Sequence, residues 1–338
     1  MTRGAGLLNL ITDVAGLKVG QAQDARARTG VTVLLPDERA VCACDVRGGG
    51  PGTRETDALG PENLVDAVDA VVLSGGSVYG LAAADGVTAV LGMARRGFQL
   101  ATAPDVPVSP VIPGAILYDL ANGGAKDWGL EPPYRALGMA AARAADVRFA
   151  LGTAGAGYGA MAGQLKGGLG SASAMIEGGF TVGAIAAINS FGSVVAPGSR
   201  AFWAAPFELD GEFGGLGSGG LAAGPDDWGL AKGTPAPRAN TTIACVATDA
   251  ALTPAEAKRV AIMAQDGLAR AIRPIHAPFD GDVVFALATA RRPLPEPRQM
   301  AIARIGALAA DCLARAVARG VYEATAYPGT DVRCWREL

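Results

Sequence analysis

At 338 residues and 33.9 kDa, the chain suits one large α/β domain or two ordinary ones, and its hydrophobic half is ample for a buried core. A net charge of −3, a pI near 5.4 and the lack of any long basic run argue against a nucleic-acid partner. Five scattered cysteines (Cys42, Cys44, Cys245, Cys312, Cys334) without CxxC spacing are expected as free thiols in a reducing compartment, outside disulfide or metal roles.

The first residues, MTRGAGLLNLITDVAGL, hold an Arg and a short apolar patch broken by Asp13, so no secretory signal is expected. VTVLLP (31–36) and AVCACDVRG (40–48) read as a hairpin about Asp37-Glu38, and the glycine-rich GGGPGTRETDAL follows. VDAVVLSGG (68–76) is an apolar strand, and SVYGLAAADGVTAVLGMARRG is a helix ending at Arg95-Arg96-Gly97. VSPVIPGAILYDL reads as strand, 133–144 as helix, and FTVGAIAAINSFGSVV as one or two buried strands. The longest uncharged run, 178–199, is broken throughout by Gly, Asn, Ser and Pro, which suits buried strands better than a membrane span. A soluble, cytoplasmic protein is expected.

Residues 204–238 differ in kind. They are dense in Gly, Pro, Asp and Ser, show no period of two or 3.6, and read as a long mobile linker. After them the pattern becomes regular. Thr242–Thr248 is a strand, and LTPAEAKRVAIMAQDGLARAIRP is a helix with Thr253 as N-cap, Pro254 at its first position and Glu256 completing a capping box. DVVFALATA (282–290) is a strand and RQMAIARIGALAADCLARAVARGVYEA a helix. The whole implies sheets covered by helices in layers.

Much familiar chemistry lacks its residues. With one histidine, His276, and no GxSxG elbow, a Ser-His-Asp triad finds no support, and no ligand set for a metal is visible. His276 reads as a satisfied structural side chain. None of the glycine stretches fits a phosphate loop; GTAGAGYGA only approaches GxGxxG, and tight turns explain it. No cofactor is expected.

The junction Asn240-Thr241 offers another route. If the bond before Thr241 is broken, one residue presents both a hydroxyl and a free α-amine. That amine has a pKa near ~8 and can take the hydroxyl proton, directly or through a water. The alternative is a loop ending at Asn240 and a strand starting by β-propensity. Asp280-Gly281-Asp282 places two carboxylates on one face at the opening of a strand, where they can hold an ammonium or share a proton, or serve simply as turn residues. Asn189, in a buried strand, must satisfy its amide and is a competent oxyanion donor. Lys166, in a glycine-rich turn, can be solvated or part of a site.

Taken in order, NLITDVAGLKVG, DVRGGGPGTRETDAL, LSGGSVYGLAAADGV, PVSPVIPGAILYDL, GQLKGGLGSAS, AAINSFGSV, NTTIACVATDAALTPAEAKRVA and DGDVVFAL resemble the L-aminopeptidase/D-esterase family. That family includes β-peptidyl aminopeptidases and the nylon-oligomer endohydrolase. The resemblance covers nearly the whole chain outside 204–238. It implies an α/β fold, a four-layer αββα sandwich similar to N-terminal nucleophile hydrolases but differently connected. It implies a single domain that cuts itself into 1–240 and 241–338, roughly 24 and 10 kDa by residue count. Carried over by motif, Thr241 is the nucleophile, Asp280 and Asp282 orient it, Asn189 serves the oxyanion, Lys166 is a site lysine and Tyr79 lines the pocket. Aminopeptidase members commonly use a serine nucleophile with Ser and Glu in place of the two Asp. The Asn-Thr cut and the DGD pair look instead like the nylon-hydrolase branch, whereas DVRGGGPGTRETD looks like general bacterial members. The expected substrate is a small peptide or amino-acyl amide, and the expected assembly a homo-oligomer of processed pairs. An acyltransferase of the ornithine-acetyltransferase type and a non-cleaving small-molecule-binding protein are the alternatives. Arg47, Arg54 and Glu55 either line the pocket or fix the glycine-rich turn.

Overall fold

A computed structural model describes the chain except residues 1–3, 102, 104, 176–178, 220 and 234–239. Its elements are β1 (Leu17–Asp24), β2 (Thr29–Pro36), β3 (Val41–Val46), β4 (Thr53–Arg54), β5 (Val71–Ser74), α1 (Ala82–Met93), β6 (Gly114–Ile116), α2 (Tyr134–Arg143), β7 (Met161–Ala162), β8 (Leu165–Lys166), β9 (Leu169–Met175), β10 (Thr181–Asn189), β11 (Thr241–Ala250), α3 (Pro254–Ala271), β12 (Val283–Arg292) and α4 (Arg298–Tyr322). Ten strands form two five-stranded sheets, ordered β1-β2-β5-β6-β4 and β3-β12-β11-β10-β9; β7 and β8 pair separately.

Strand β11 shows why the layers form. It is buried along its whole length, so both faces need apolar partners. Ile243, Cys245 and Ala247 join Val19, Leu34 and Leu73 of the first sheet in a core between the sheets. Ala244 and Val246 join Val260 and Ala264 of α3 and Leu313 and Val317 of α4. On the far side of the first sheet, Val31, Val33 and Val72 cluster with Ala83 and Val87 of α1 and Ala141 of α2. Three apolar layers therefore separate α, β, β and α, the sandwich expected.

Four readings need correction or narrowing. β2 and β3 do not form a hairpin: β2 pairs with β1 and β5, and β3 with β12 of the other sheet. β1 has no counterpart among the strands read from the sequence. VSPVIPGAILYDL is strand only over Gly114–Ile116. Among its described residues, the segment from Ala204 has no regular structure beyond a 3-10 turn at Ala205–Phe207, but it is anchored to the body: Phe213 and Ala231 are buried, and Glu212 pairs with Arg315 and Arg319 of α4. Residues 220 and 234–238 of that segment lie outside the described residues. The capping box of α3 forms as read, with Glu256 N–H on Thr253 Oγ1 and Thr253 N–H on Glu256 Oε2. All five cysteines are free and four are buried. Among the described residues no helix is long and apolar enough to cross a membrane.

Candidate active site

Strand register builds the site. β10 and β11 run antiparallel, with Asn189 directly opposite Thr241. Both positions share the side-chain phase of Ile185 and Ile243, so both face the layer between the sheets. β12 lies parallel to β11 on its other side, and an isolated parallel bridge joins Asn240 to Asp280. Three segments distant in sequence thus meet at one end of the inter-sheet core.

The Thr241 hydroxyl donates to the carbonyl of Asn240, the residue before it. The same carbonyl accepts Gly281 N–H at 3.0 Å. Asn240 and Thr241 are only 1% and 3% exposed. A Cβ on Gly281 would stand 2.7 Å from Thr241 Oγ1 and 3.0 Å from the Gly50 carbonyl, so the backbone can approach the hydroxyl only because position 281 has no side chain. Glycines 48 to 50 brace this loop from outside: Gly48 N–H donates to Asp282 O and Gly50 N–H to Asp280 O.

The two acidic residues precede β12 rather than opening it, because the ladder begins at Val283. Each has its own partners. Asp282 Oδ1 accepts Thr242 N–H at 2.7 Å, while Oδ2 accepts His276 N–H and sits 2.9 Å from His276 Nδ1. Asp280 Oδ2 accepts Ala277 N–H at 2.9 Å, and its Oδ1 is buried without a hydrogen-bond partner among the described residues. Burial, and next the neighbouring Asp282 charge, push the Asp280 carboxyl up to about 7. His276, read from sequence as a satisfied side chain, is satisfied by one of these carboxylates.

Asn189 is held on three sides. Its Nδ2 donates to Tyr118 O at 2.9 Å, and its Oδ1 accepts Met161 N–H at 2.9 Å and Asn122 Nδ2 at 3.1 Å. Lys166 is fully buried, with its amine on the carbonyls of Gly157, Ala160 and Gly167 at 3.3, 3.0 and 2.7 Å. Burial pushes this amine down to about 7. Lys166 therefore stiffens the turn whose next residue, Met161, orients Asn189.

Tyr79 stands apart from this network, half-exposed and edge-on to Trp128 at 5.7 Å; Trp128 in turn meets the buried Tyr134. Arg47, Arg54 and Glu55 fix local structure: Arg47 pairs with Asp45, Arg54 with Asp85, and Glu55 accepts Ile112 N–H. GTAGAGYGA forms a buried 3-10 turn at Gly155–Gly157, with Ala156 in the inter-sheet core. Among the described residues, no group of three or more His, Cys, Asp or Glu side chains forms a metal cluster.

Two contributors escape a reading of the sequence. Gly281, between the two acids, has no side chain for a motif to mark. Lys232, inside the irregular segment, donates from Nζ to Asn189 O at 3.3 Å and from its backbone to Phe191 O at 3.0 Å. Burial pushes its amine down to about 8, against the opposing pull of Asp280. Nothing in the local sequence around Lys232 marks it.

A sequence model of Peptidase family S58 matches residues 9–334. An uncharacterized aminopeptidase of Mycobacterium tuberculosis is 46% identical over 349 aligned residues, covering 95% of this chain and 96% of that one. A 6-aminohexanoate-oligomer endohydrolase of a Kocuria species is 29% identical over 305 residues, covering 87% and 78%. Among solved structures, a Burkholderia beta-aminopeptidase superposes with TM-score 0.70 at 23% identity, covering 96% of this chain and 89% of that one. The L-aminopeptidase D-Ala-esterase/amidase of Ochrobactrum anthropi, described as a variant of the Ntn hydrolase fold, gives 0.69 at 22%, covering 98% and 91%. These last two likenesses concern the fold. By the match over 9–334 and the 46% identity across nearly its full length, the chain belongs to peptidase family S58.

Proposed function

We propose that this hydrolase of peptidase family S58 cuts its own Asn240–Thr241 bond and then uses Thr241 as an N-terminal nucleophile on small peptides or amino-acyl amides. One observation carries the reading. The Thr241 hydroxyl lies against the carbonyl it would attack, and Gly281 N–H is already bonded to that carbonyl oxygen. In maturation, Thr241 Oγ attacks the Asn240 carbonyl carbon, the C–N bond breaks and the leaving nitrogen takes a proton, giving an ester. Water then cleaves the ester and leaves an Asn240 carboxylate and a free Thr241 amine.

The acyl ester of turnover has the same connectivity as the ester of maturation, so one donor set serves both. Gly281 N–H is an oxyanion donor, worth about 10²–10³ in rate for a group of this kind. Asn189 is the second donor, once its Nδ2 exchanges Tyr118 O for the oxyanion. The free α-amine is the base, and Asp280 and Asp282 hold it close to the hydroxyl. Lys166 contributes through the turn that fixes Asn189. The names of the relatives, an oligomer endohydrolase, an aminopeptidase and an esterase/amidase, agree with acyl transfer from an amide to water. Processed pairs associate as a homo-oligomer in this reading.

Intact mass under denaturing conditions, with N-terminal sequencing, tests it. The expected result is two fragments, the smaller beginning TTIACV, whereas Thr241→Ala stays full length and inactive. A wild-type chain that remains whole after long incubation, or an active Thr241→Ala, refutes it.

A further inference from the structure

We propose that Lys232 is a positioning residue of this site: its ammonium is the counter-charge of the buried Asp280–Asp282 pair, and it stays in place after the bond before Thr241 is cut. The proposal rests on the reading of Thr241 given above.

Two neighbouring carboxylates buried together do not both stay ionised without a cation nearby. Among the described residues, the groups facing Asp280 are few. Asp282 and His276 belong to its own loop, and Lys232 approaches from the irregular segment. Arg47 reaches Asp282 O with its backbone N–H, but its guanidinium is turned onto Asp45. No direct ion pair joins Lys232 to Asp280; the amine sits on Asn189 O, the residue opposite Thr241, and its charge reaches Asp280 across the intervening space. Asp280 Oδ1, buried and without a hydrogen-bond partner among the described residues, is the end of the carboxylate left for such a charge or for the α-amine to serve.

The anchoring explains why the lysine would remain. Trp228 packs edge-on against Phe191 at 5.8 Å, and Phe191 against Phe279, the neighbour of Asp280, at 4.7 Å. Gln164 donates to Leu230 O from its backbone and to Ala231 O from Nε2, both at 2.8 Å. Lys232 N–H closes the set on Phe191 O at 3.0 Å. Apart from Phe279, every partner lies upstream of the cut. Breaking the bond after Asn240 therefore frees the end of the segment and leaves Lys232 on the same atoms.

The test needs a readout that neither cleavage nor a purely structural role supplies. The chain has one histidine, so tag-free protein labelled with [¹⁵N]histidine gives a single amide signal. That amide, of His276, donates to Asp282 and senses the charge on the pair. In an uncut Thr241→Ala background, the inflection from the pair should move up by about one pH unit in Lys232→Met, because removing a cation favours the protonated acid. Lys232→Arg should leave it near its original position. In protein that does cut, the acid limb of kcat should move likewise, lowering activity about tenfold on the acid side. An unmoved inflection in Lys232→Met overturns the proposal. So does loss of the folded signal in both variants, which marks the residue as structural. An uncut wild-type chain would sink the reading of Thr241 instead, while the titration still decides the role of Lys232.

Discussion

Gly281→Ala isolates the step on which the proposed chemistry turns. The substitution adds one methyl group and leaves every ionisable group in place. That methyl would stand 2.7 Å from Thr241 Oγ1 and 3.0 Å from Gly50 O, both closer than ordinary van der Waals contact. Either the hydroxyl rotates away from the Asn240 carbonyl, or the 280–282 loop backs off and takes Gly281 N–H with it. Displacing a nucleophile by about 1 Å costs on the order of 10²-fold in rate. Losing an oxyanion donor costs about 10²–10³-fold. The crowding itself destabilises by about 1–3 kcal/mol, small enough for the fold to persist. The assay is the rate of appearance of the fragment beginning at Thr241, followed by intact mass, alongside a thermal melt. We expect cutting slowed at least a hundredfold in a protein that still melts cooperatively. A variant that melts normally and cuts at the wild-type rate refutes the assignment of Gly281.

Two further predictions concern the frame and its response to pH. Glu212→Ala leaves Arg315, only 2% exposed at its side chain, without its carboxylate partner and should destabilise the fold by about 3–5 kcal/mol, read as a lower denaturant midpoint. An unchanged midpoint would show that the irregular segment is not anchored there. For pH, Asp280 has a folded value of about 7 against an ordinary 3.8, so the native state holds the extra proton between these values. The contribution of this group to stability is therefore greatest below about 4 and is lost as pH rises through 7. Lys166 runs the other way: its folded value of about 7 lies below the ordinary 10.5, so the unfolded chain holds the proton and stability rises between these limits. In the uncut Thr241→Ala background, Asp280→Asn should flatten the acid-side fall, and Lys166→Met the alkaline rise, of melting temperature against pH. Parallel profiles in all variants would refute both assignments.

What the sequence revealed and what it concealed divide along a physical line. Helix α3 was legible because its signals are local: an N-cap, a proline and a glutamate within four residues, and an apolar face at helical spacing. β10 and β11 were legible as apolar runs buried on both faces. β1 escaped because its pattern is diluted: only Leu17 and Val19 enter the core, and Gly20 replaces the next side chain where an added Cβ would come within 1.8 Å of the α2 backbone carbonyl of Ala141. β2 and β3 read as one hairpin, although they belong to different sheets, because strands in both sheets bury apolar faces alike. Nothing in either strand says whether the short link between them turns back in one sheet or crosses to the other.

The site follows the same division. Thr241, Asn189, Asp280 and Asp282 stand out as candidates because their motifs run in order along the chain, and the β10–β11 register with the Asn240–Asp280 bridge sets the first three side by side. Gly281 and Lys232 have no motif of their own. Gly281 stands out for a side chain it lacks and for an N–H, one that every residue but proline possesses, on the Asn240 carbonyl. Lys232 is placed by an irregular segment fixed by separate contacts, each specific and none periodic, at Glu212, Phe213, Trp228 and Gln164. Periodicity detects elements that repeat an interaction. A segment held by single anchors gives no such signal, yet it can place one amine on the backbone carbonyl of Asn189 as firmly as a strand does. For the same reason, composition that reads as a linker fixes neither where a chain docks nor which of its side chains reaches the site.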